Sequence, residues 1–335
     1  MNDFASVLGH EGVKHHLMTA LSDGLISHAY LIEGPRGVGK KTLSRALVRA
    51  LLCEEPVHLP DGGIDSCGHC RCCELLDHSN HPDVKIIRPI EEGKAITVDQ
   101  IRDELVSDMQ VLPYMDSYKI YVVENADKLN AQAQNALLKT IEEPPSYGLI
   151  LLLAENETSF LPTILSRCIR VSLSPLPSDL VMQSLRQQNI PEDTAALCAA
   201  FSQGSIGEAL QLCSNETFAS LRSTLFDFLA SIPQCTPLQI LNGGKILDEY
   251  KSRRDAVFSL LNLWFRDVGV YRETKDSSML LLKDRLDDIA RLSEYYSSEK
   301  ILRICDRISD TYKKLQANVN AQLAIDCLMI ELQNS

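Results

Sequence analysis

The sequence predicts an α/β domain built on a parallel sheet, followed by an all-α region. Over the first half, short apolar runs alternate with helical patterns, which is typical of parallel strands covered by helices. Strand signals fade after about residue 175, and apolar residues then recur three and four positions apart. A chain of 335 residues is long enough for two or three domains. We predict a sheet domain over 1–174, a small helical lid over 175–213 and a helical bundle over 214–335.

The elements of the sheet domain follow in chain order. The apolar run 29–32 predicts a buried strand, and it is followed by the glycine-rich GPRGVGKKT and by a helix over 40–52. Further strands are predicted at 84–87, 120–123 and 149–154, and Arg170 lies at the start of another. Helices are predicted at 98–109 and 131–141, and Pro144-Pro145 ends the second of them.

Helical patterns account for the remainder of the chain. Two or three short helices are predicted between 175 and 213, including the stretch GSIGEALQL. Residues 214–332 are predicted to be helical throughout, with clear periodicity at 256–264 and 301–315. Trp264, the only tryptophan, is expected in the core of the final bundle.

Composition and charge narrow the class of protein. A formal charge of −12 disfavours a protein that coats nucleic acid by itself, because lysine and arginine supply most non-specific affinity for phosphate. No apolar run approaches the roughly 20 residues of a membrane span, and the opening MNDFASVLGH lacks the pattern of a signal peptide. We therefore expect a cytoplasmic protein without a membrane partner, whose eleven cysteines are reduced.

The segment after the first strand matches most of a phosphate loop. Gly34, Gly37, Gly39 and Lys40 have the spacing at which backbone N–H groups cradle phosphates and the lysine reaches the terminal ones. A strand before it and a helix after it give the expected context. The pattern favours a phosphate cradle or a relic loop kept for its fold, and ATP binding remains open.

Two departures argue against hydrolysis. Lys41 stands where a serine or threonine hydroxyl should hold magnesium, and Thr42 lies one residue late on another face of the helix. A later strand ends in Glu124-Asn125, where an Asp-Glu pair is expected, so Asn125 replaces the carboxylate that would activate water. The sequence thus predicts a degraded nucleotide site.

Four cysteines follow the phosphate-loop helix closely. Cys53, Cys67, Cys70 and Cys73 form a C-x13-C-x2-C-x2-C array in a polar, glycine-containing insertion at about 53–80. Four thiolates at these spacings suit tetrahedral, structural zinc, and free thiols are the alternative. Other residues of the insertion that could replace a ligand are His58, Cys72, His69 and His78.

These features, together with NAQAQNALLKTIEEPP at 130–145 and LPTILSRC at 161–168, resemble the clamp-loader branch of AAA+ proteins over about the first 210 residues. The resemblance implies an AAA+ sheet domain, a lid and a helical collar. Within this branch gamma/tau subunits hydrolyse ATP, whereas delta-prime subunits carry a degraded site, and this sequence resembles the second type. Gly207 stands where an active member has its sensor-2 arginine, and sensor 1 falls near Glu155-Asn156.

The resemblance also implies a role for Arg167. Ser166-Arg167-Cys168 matches the motif whose arginine reaches the ATP of an adjacent subunit, and the alternative is that Arg167 pairs with a nearby carboxylate. The implied partners are gamma/tau and delta subunits, a sliding clamp and primed DNA. Two other functions remain open, an ATP-hydrolysing gamma/tau-like motor and a zinc-dependent nucleic-acid binder.

Overall fold

A five-stranded parallel sheet organises the first part of the chain. The computed structural model describes residues 3–60, 62–91, 94–115, 117–249, 254–316 and 321–333. The strand order is β4-β5-β6-β1-β7, and every neighbouring pair is parallel. A separate antiparallel pair, β2-β3, lies in the cysteine-rich insertion. The strands are β1 (Ala29–Glu33), β2 (Val57–His58), β3 (Ile64–Asp65), β4 (Val84–Ile87), β5 (Lys119–Val123), β6 (Gly148–Ala154) and β7 (Ile169–Ser172). The predicted strands are confirmed with shifts of one residue.

Helices cover both faces of this sheet. Along β1, Tyr30 and Ile32 belong to one apolar core, whereas Ala29 and Leu31 belong to the other. This alternation explains the continuous apolar run, since a strand buried on both faces needs apolar residues at every position. The helices of this part are α1 (Glu11–Ser22), α2 (Lys40–Leu51), α3 (Arg71–Asp77), α4 (Val98–Ile101), α5 (Ala131–Glu142) and α6 (Pro162–Leu165).

The segment predicted as one helix over 98–109 is helical but not a regular α-helix. The chain forms α4 for one turn, then a π-helical segment Arg102–Val106, and then a 3-10 turn Asp108–Gln110. The ammonium of Lys119 donates to the carbonyl oxygens of Asp108, at 2.8 Å, and Val111, at 3.2 Å. The Asp108 carbonyl also accepts the Val111 N–H at 3.0 Å, so a side chain from β5 holds the 3-10 turn that ends this helical stretch.

The second half of the chain is helical, as predicted. Positions 250–253 and 317–320 of that prediction lie outside the described residues. Trp264 is fully buried, with its ring centroid 4.7 Å from that of Phe226, so the core position predicted for it is confirmed. The helices are α7 (Ser178–Gln187), α8 (Glu192–Phe201), α9 (Ile206–Cys213), α10 (Glu216–Ser231), α11 (Pro237–Glu249), α12 (Arg254–Thr274), α13 (Leu286–Tyr295), α14 (Ser298–Gln316) and α15 (Ala321–Gln333).

Contacts divide the chain into two compact units. The first contains residues 1–184 and 203–208, and the second contains 185–202 and 209–335. The predicted division into sheet domain, lid and bundle remains a prediction. Among the described residues, every helix is too short or too polar to cross a bilayer.

Candidate nucleotide cleft, metal site and exposed arginine

The phosphate loop connects β1 to α2 at the carboxyl edge of the sheet. Gly34, Gly37 and Gly39 have φ values of +148°, +71° and +112°, which side chains rarely adopt. A Cβ on Gly34 would also collide with the carbonyl oxygen of Leu173, so the turn requires glycine there. Lys40 then begins α2, as the motif predicted.

The loop lysine folds back onto its own loop. Its ammonium donates to the carbonyl oxygens of Gly34, at 2.5 Å, and Pro35, at 2.8 Å. Burial lowers the pKa of Lys40, whereas the negative charges of Glu155 and Asp127 act in the opposite direction. Asp127 was not predicted as part of this site, although it follows β5 closely and the carboxyl ends of parallel strands share one edge of the sheet.

Lys41 and Glu124, one from each of the two segments that depart from the nucleotide-binding motifs, form an ion pair. The Lys41 ammonium is 2.7 Å from a carboxylate oxygen of Glu124, whose side chain is only 6% exposed. The same oxygen is 3.8 Å from Nε of Arg88, which follows β4. Asn125 is exposed and left-handed, with φ of 53°, and Thr42 is half-buried one position along α2. Lys41 and Glu124, both predicted to belong to the nucleotide site, are thus in contact, and the carboxylate pairs with a lysine.

The turn that begins α9 closes onto the phosphate loop. The Gly207 N–H donates to the carbonyl oxygen of Gly37 at 3.1 Å, and Arg36 pairs with Glu208 at 3.6 Å. A Cβ on Gly207 would lie 2.9 Å from the Cα of Gly37. Because the two backbones are in contact, a side chain at 207 would require the turn to move.

The sensor-1 assignment remains a prediction. The Asn156 side chain accepts hydrogen bonds from the N–H and hydroxyl of Thr158 and caps the short turn Glu157–Ser159. Glu155, in contrast, acts electrostatically on Lys40. The two candidates therefore have different surroundings.

The four predicted cysteines converge in the insertion. Their sulfur atoms all lie within 4.8 Å of one another, and Cys53 is 3.9 Å from both Cys70 and Cys73. A tetrahedral zinc ion with Zn–S bonds of about 2.3 Å separates its sulfurs by about 3.8 Å, so the arrangement fits such an ion. Among the described residues this group contains no histidine. The insertion can therefore hold a metal with four thiolates.

Backbone groups support the cluster. The Cys67 N–H donates to the sulfur of Cys53 at 3.2 Å, and the Cys70 N–H donates to that of Cys67 at 3.3 Å. Burial raises the pKa of the Cys67 thiol, but hydrogen bonds from the backbones of His69 and Cys70 outweigh it, so the pKa falls to about 6. Such bonds favour the thiolate, which is the form that binds metal.

Arg49 joins this cluster to α2 and was not predicted. Its side chain is 3% exposed, and it donates to a carboxylate oxygen of Asp77 at 2.8 Å and to the carbonyl of Gly68 at 3.3 Å. Burial raises the pKa of Cys73, and a hydrogen bond from Arg49 opposes that increase. No local sequence pattern marks this arginine, since its partners lie 19 to 28 positions away.

The same insertion contacts the first described residues. A carboxylate of Asp65, in β3, accepts hydrogen bonds from the Phe4 N–H at 3.0 and 3.3 Å. Burial raises the pKa of Asp65, while backbone donors at Ser66 and Phe4 lower it. This contact spans 61 positions of sequence.

Arg167 lies at the surface, between α6 and β7. Its guanidinium is 3.0 Å from a carboxylate oxygen of Glu142, and it also donates to the Thr163 carbonyl at 3.0 Å. The side chains of Arg167 and Glu142 are 39% and 43% exposed. The neighbouring Arg170 pairs with Glu157 at 2.6 Å and is also exposed. Arg167 thus forms an ion pair with a nearby carboxylate, which was the alternative to its role at a neighbour's ATP. Its side chain is nevertheless open to solvent.

Two family models match the chain. The model described as DNA polymerase III, delta subunit, covers residues 9–177, and the model described as its C-terminal part covers 216–334. The DNA polymerase III subunit delta′ of Pseudomonas aeruginosa is 30% identical over 91% of each chain. The subunit delta′ of Bacillus subtilis is 27% identical over 95% of this chain and 94% of that protein. The tau/gamma subunit of Haemophilus influenzae is 35% identical over 62% of this chain and 30% of its own length.

The sheet order, with a phosphate loop after β1 and helices on both faces, is that of an AAA+ domain, and the family model over 9–177 assigns this domain to the DNA polymerase III delta class. The family models extend this conclusion into the helical second half. The chain belongs to the DNA polymerase III delta/delta′ subunit family.

Proposed function

We propose that this protein is a delta′-type stator of a clamp loader, which does not hydrolyse ATP and supplies Arg167 to the ATP site of a neighbouring subunit. The observation that carries the proposal is the contrast between two sites. In its own cleft Lys41 neutralises the carboxylate Glu124, and Asn125 replaces the base. Arg167, in contrast, is exposed and held by half-exposed partners.

The partners and collar follow from the same proposal. With gamma/tau-type and delta-type subunits, the protein would help to place a sliding clamp on primed DNA, and residues 214–335 would form its collar. A guanidinium near the γ-phosphate stabilises charge in the transition state and contributes roughly 10³- to 10⁵-fold in rate at its site. The family membership and the relatives named delta′ support this role.

The cysteine cluster is proposed to hold structural zinc. Four thiolates at tetrahedral separations leave no position open for a substrate, as in structural zinc sites. Zinc would organise an insertion whose described residues form two two-residue strands and one seven-residue helix. The cytoplasmic location expected from the sequence remains a prediction.

The test compares Arg167→Ala with Arg170→Ala in a reconstituted loader containing the partner subunits, clamp and primed DNA. We expect Arg167→Ala to lower DNA-stimulated ATP hydrolysis several-fold while the complex still assembles. The loss is partial because the other ATPase sites keep their own arginines. Arg170→Ala should have little effect. Equal activity of both variants would overturn the proposal.

The competing motor function is tested on the isolated chain. Magnesium-dependent ATP turnover that disappears in Lys40→Ala would make this protein a gamma/tau-like ATPase instead. We expect no turnover above background from either form, because water activation lacks its base.

A further inference from the structure

The ion pair between Lys41 and Glu124 joins the two positions from which the nucleotide-binding motifs would bind magnesium. Lys41 lies in the first turn of α2, and its ammonium is 2.7 Å from the buried Glu124 carboxylate. Arg88 approaches the same oxygen from the end of β4, at 3.8 Å. A carboxylate withdrawn from water needs compensating charge, and two side chains of the protein supply it here.

An ammonium and a divalent ion compete for that oxygen. Magnesium binds carboxylate oxygen at about 2.0–2.1 Å and requires near-octahedral ligands. A lysine ammonium at 2.7 Å from the same atom would lie only a few ångströms from the ion, and both are positive. Lys41 also removes the hydroxyl ligand that the motif normally provides at this position.

No alternative set of ligands compensates for this loss. Among the residues that the structure describes, Glu124 belongs to no group of three or more potential metal ligands. The carboxylate of Glu124 therefore faces the charges of Lys41 and Arg88 rather than further metal ligands.

We propose that the ammonium of Lys41 takes the place of the divalent metal ion, so that the phosphate loop carries a built-in cation and excludes magnesium. A nucleoside triphosphate entering this cleft would bind as the metal-free anion. The inference goes beyond the proposed function, because it concerns the chain alone and holds whether or not Arg167 serves a neighbour.

The experiment uses manganese as a paramagnetic substitute for magnesium. The longitudinal relaxation rate of water protons is measured for Mn-ATP with increasing amounts of the full chain, since the rate rises when protein immobilises the Mn-ATP complex. The variants are Lys41→Thr, which restores a hydroxyl, Glu124→Gln, which removes the carboxylate, and the double variant Lys41→Thr/Glu124→Gln. Arg45→Thr is the matched control, because Arg45 is an exposed cation one turn along the same helix.

We expect no enhancement with the wild type or with Arg45→Thr, a several-fold enhancement with Lys41→Thr, and its loss in the double variant. Enhancement by the wild type that Glu124→Gln abolishes would overturn the proposal. Equal behaviour of Lys41→Thr and the wild type would overturn it as well. Far-UV circular dichroism verifies that each variant is folded. Because no partner subunit is present, the result is independent of the Arg167 test.

Discussion

The guanidinium of Arg167 lies 3.0 Å from the carboxylate of Glu142, and both side chains are about two-fifths exposed. Exposed pairs of this kind contribute roughly 0–1 kcal/mol, because water and salt screen them. The pair therefore orients Arg167 without fixing it, and the arginine can exchange this carboxylate for another anion at small expense. An arginine with a purely structural role would be fixed by its ion pair, whereas one that serves another anion must be able to leave it.

Glu142→Gln tests this distinction. We expect the substitution to change the free energy of unfolding by less than about 1 kcal/mol and to preserve ATP hydrolysis by the reconstituted loader. Urea denaturation and steady-state hydrolysis measure the two effects. If Glu142→Gln instead reproduced the loss of hydrolysis expected for Arg167→Ala, the arginine would act through its ion pair.

Arg49→Gln should weaken metal binding at the cysteine cluster. The variant loses the guanidinium bonds to Asp77 and Cys73, and loss of such supporting contacts lowers metal affinity roughly 10- to 100-fold. Competition with a chromogenic chelator measures the affinity for zinc. Arg45→Gln, which alters an exposed arginine on the same helix, should leave it unchanged. Equal affinities for all three proteins would contradict the prediction.

Gly207→Ala should destabilise the first unit. An added Cβ would meet the Cα of Gly37 at 2.9 Å, and overpacking of this kind costs about 1–3 kcal/mol. Gly12→Ala in α1 is the matched control, because no atom lies within 4 Å of its added Cβ. We expect the control to be neutral or more stable by up to about 1 kcal/mol, since alanine favours helix. Urea denaturation followed by circular dichroism distinguishes the two, and a stable Gly207→Ala would refute the close contact.

Asp108 should make stability depend on acidic pH. Burial raises the pKa of this carboxyl, but bonds from Tyr121, Lys85 and Lys119 outweigh it, so the folded-state pKa lies below the unfolded value of about 3.9. The stability that the Asp108 carboxylate contributes is fully present above its unfolded-state pKa. It is lost as the pH falls through its folded-state pKa. Asp108→Asn should therefore flatten the acidic limb of urea midpoint against pH, whereas Asp23→Asn, at an exposed position, should not. An unchanged limb in Asp108→Asn would exclude the effect.

Local pattern was sufficient to predict much of this protein. The apolar run around Leu31 predicts a strand, the glycine spacing before Lys40 predicts the phosphate loop, and the short cysteine spacings predict the cluster. Each depends on residues within a few positions of one another, or on a motif whose spacing reflects its chemistry. The chain's membership of the delta/delta′ family agrees with the resemblance drawn from such motifs.

Long-range contacts could not be predicted in this way. Lys41 and Glu124 are 83 positions apart, and their direct contact depends on how α2 and β5 meet at the sheet edge. The segment predicted as one helix at 98–109 changes to π-helix at Arg102, and the 3-10 turn after it has a carbonyl that binds Lys119 from a later strand. Helical periodicity records the buried face of a segment, but it does not record competing partners from other strands.

The bond from Phe4 to Asp65 provides a natural reporter of the cysteine insertion. Deuterium uptake at the Phe4 amide requires that this bond open, and Asp65 belongs to the segment that the four thiolates enclose. A single amide far away in sequence would therefore register loosening of the insertion, and mass spectrometry of the leading peptide could follow it without any label at the cysteines.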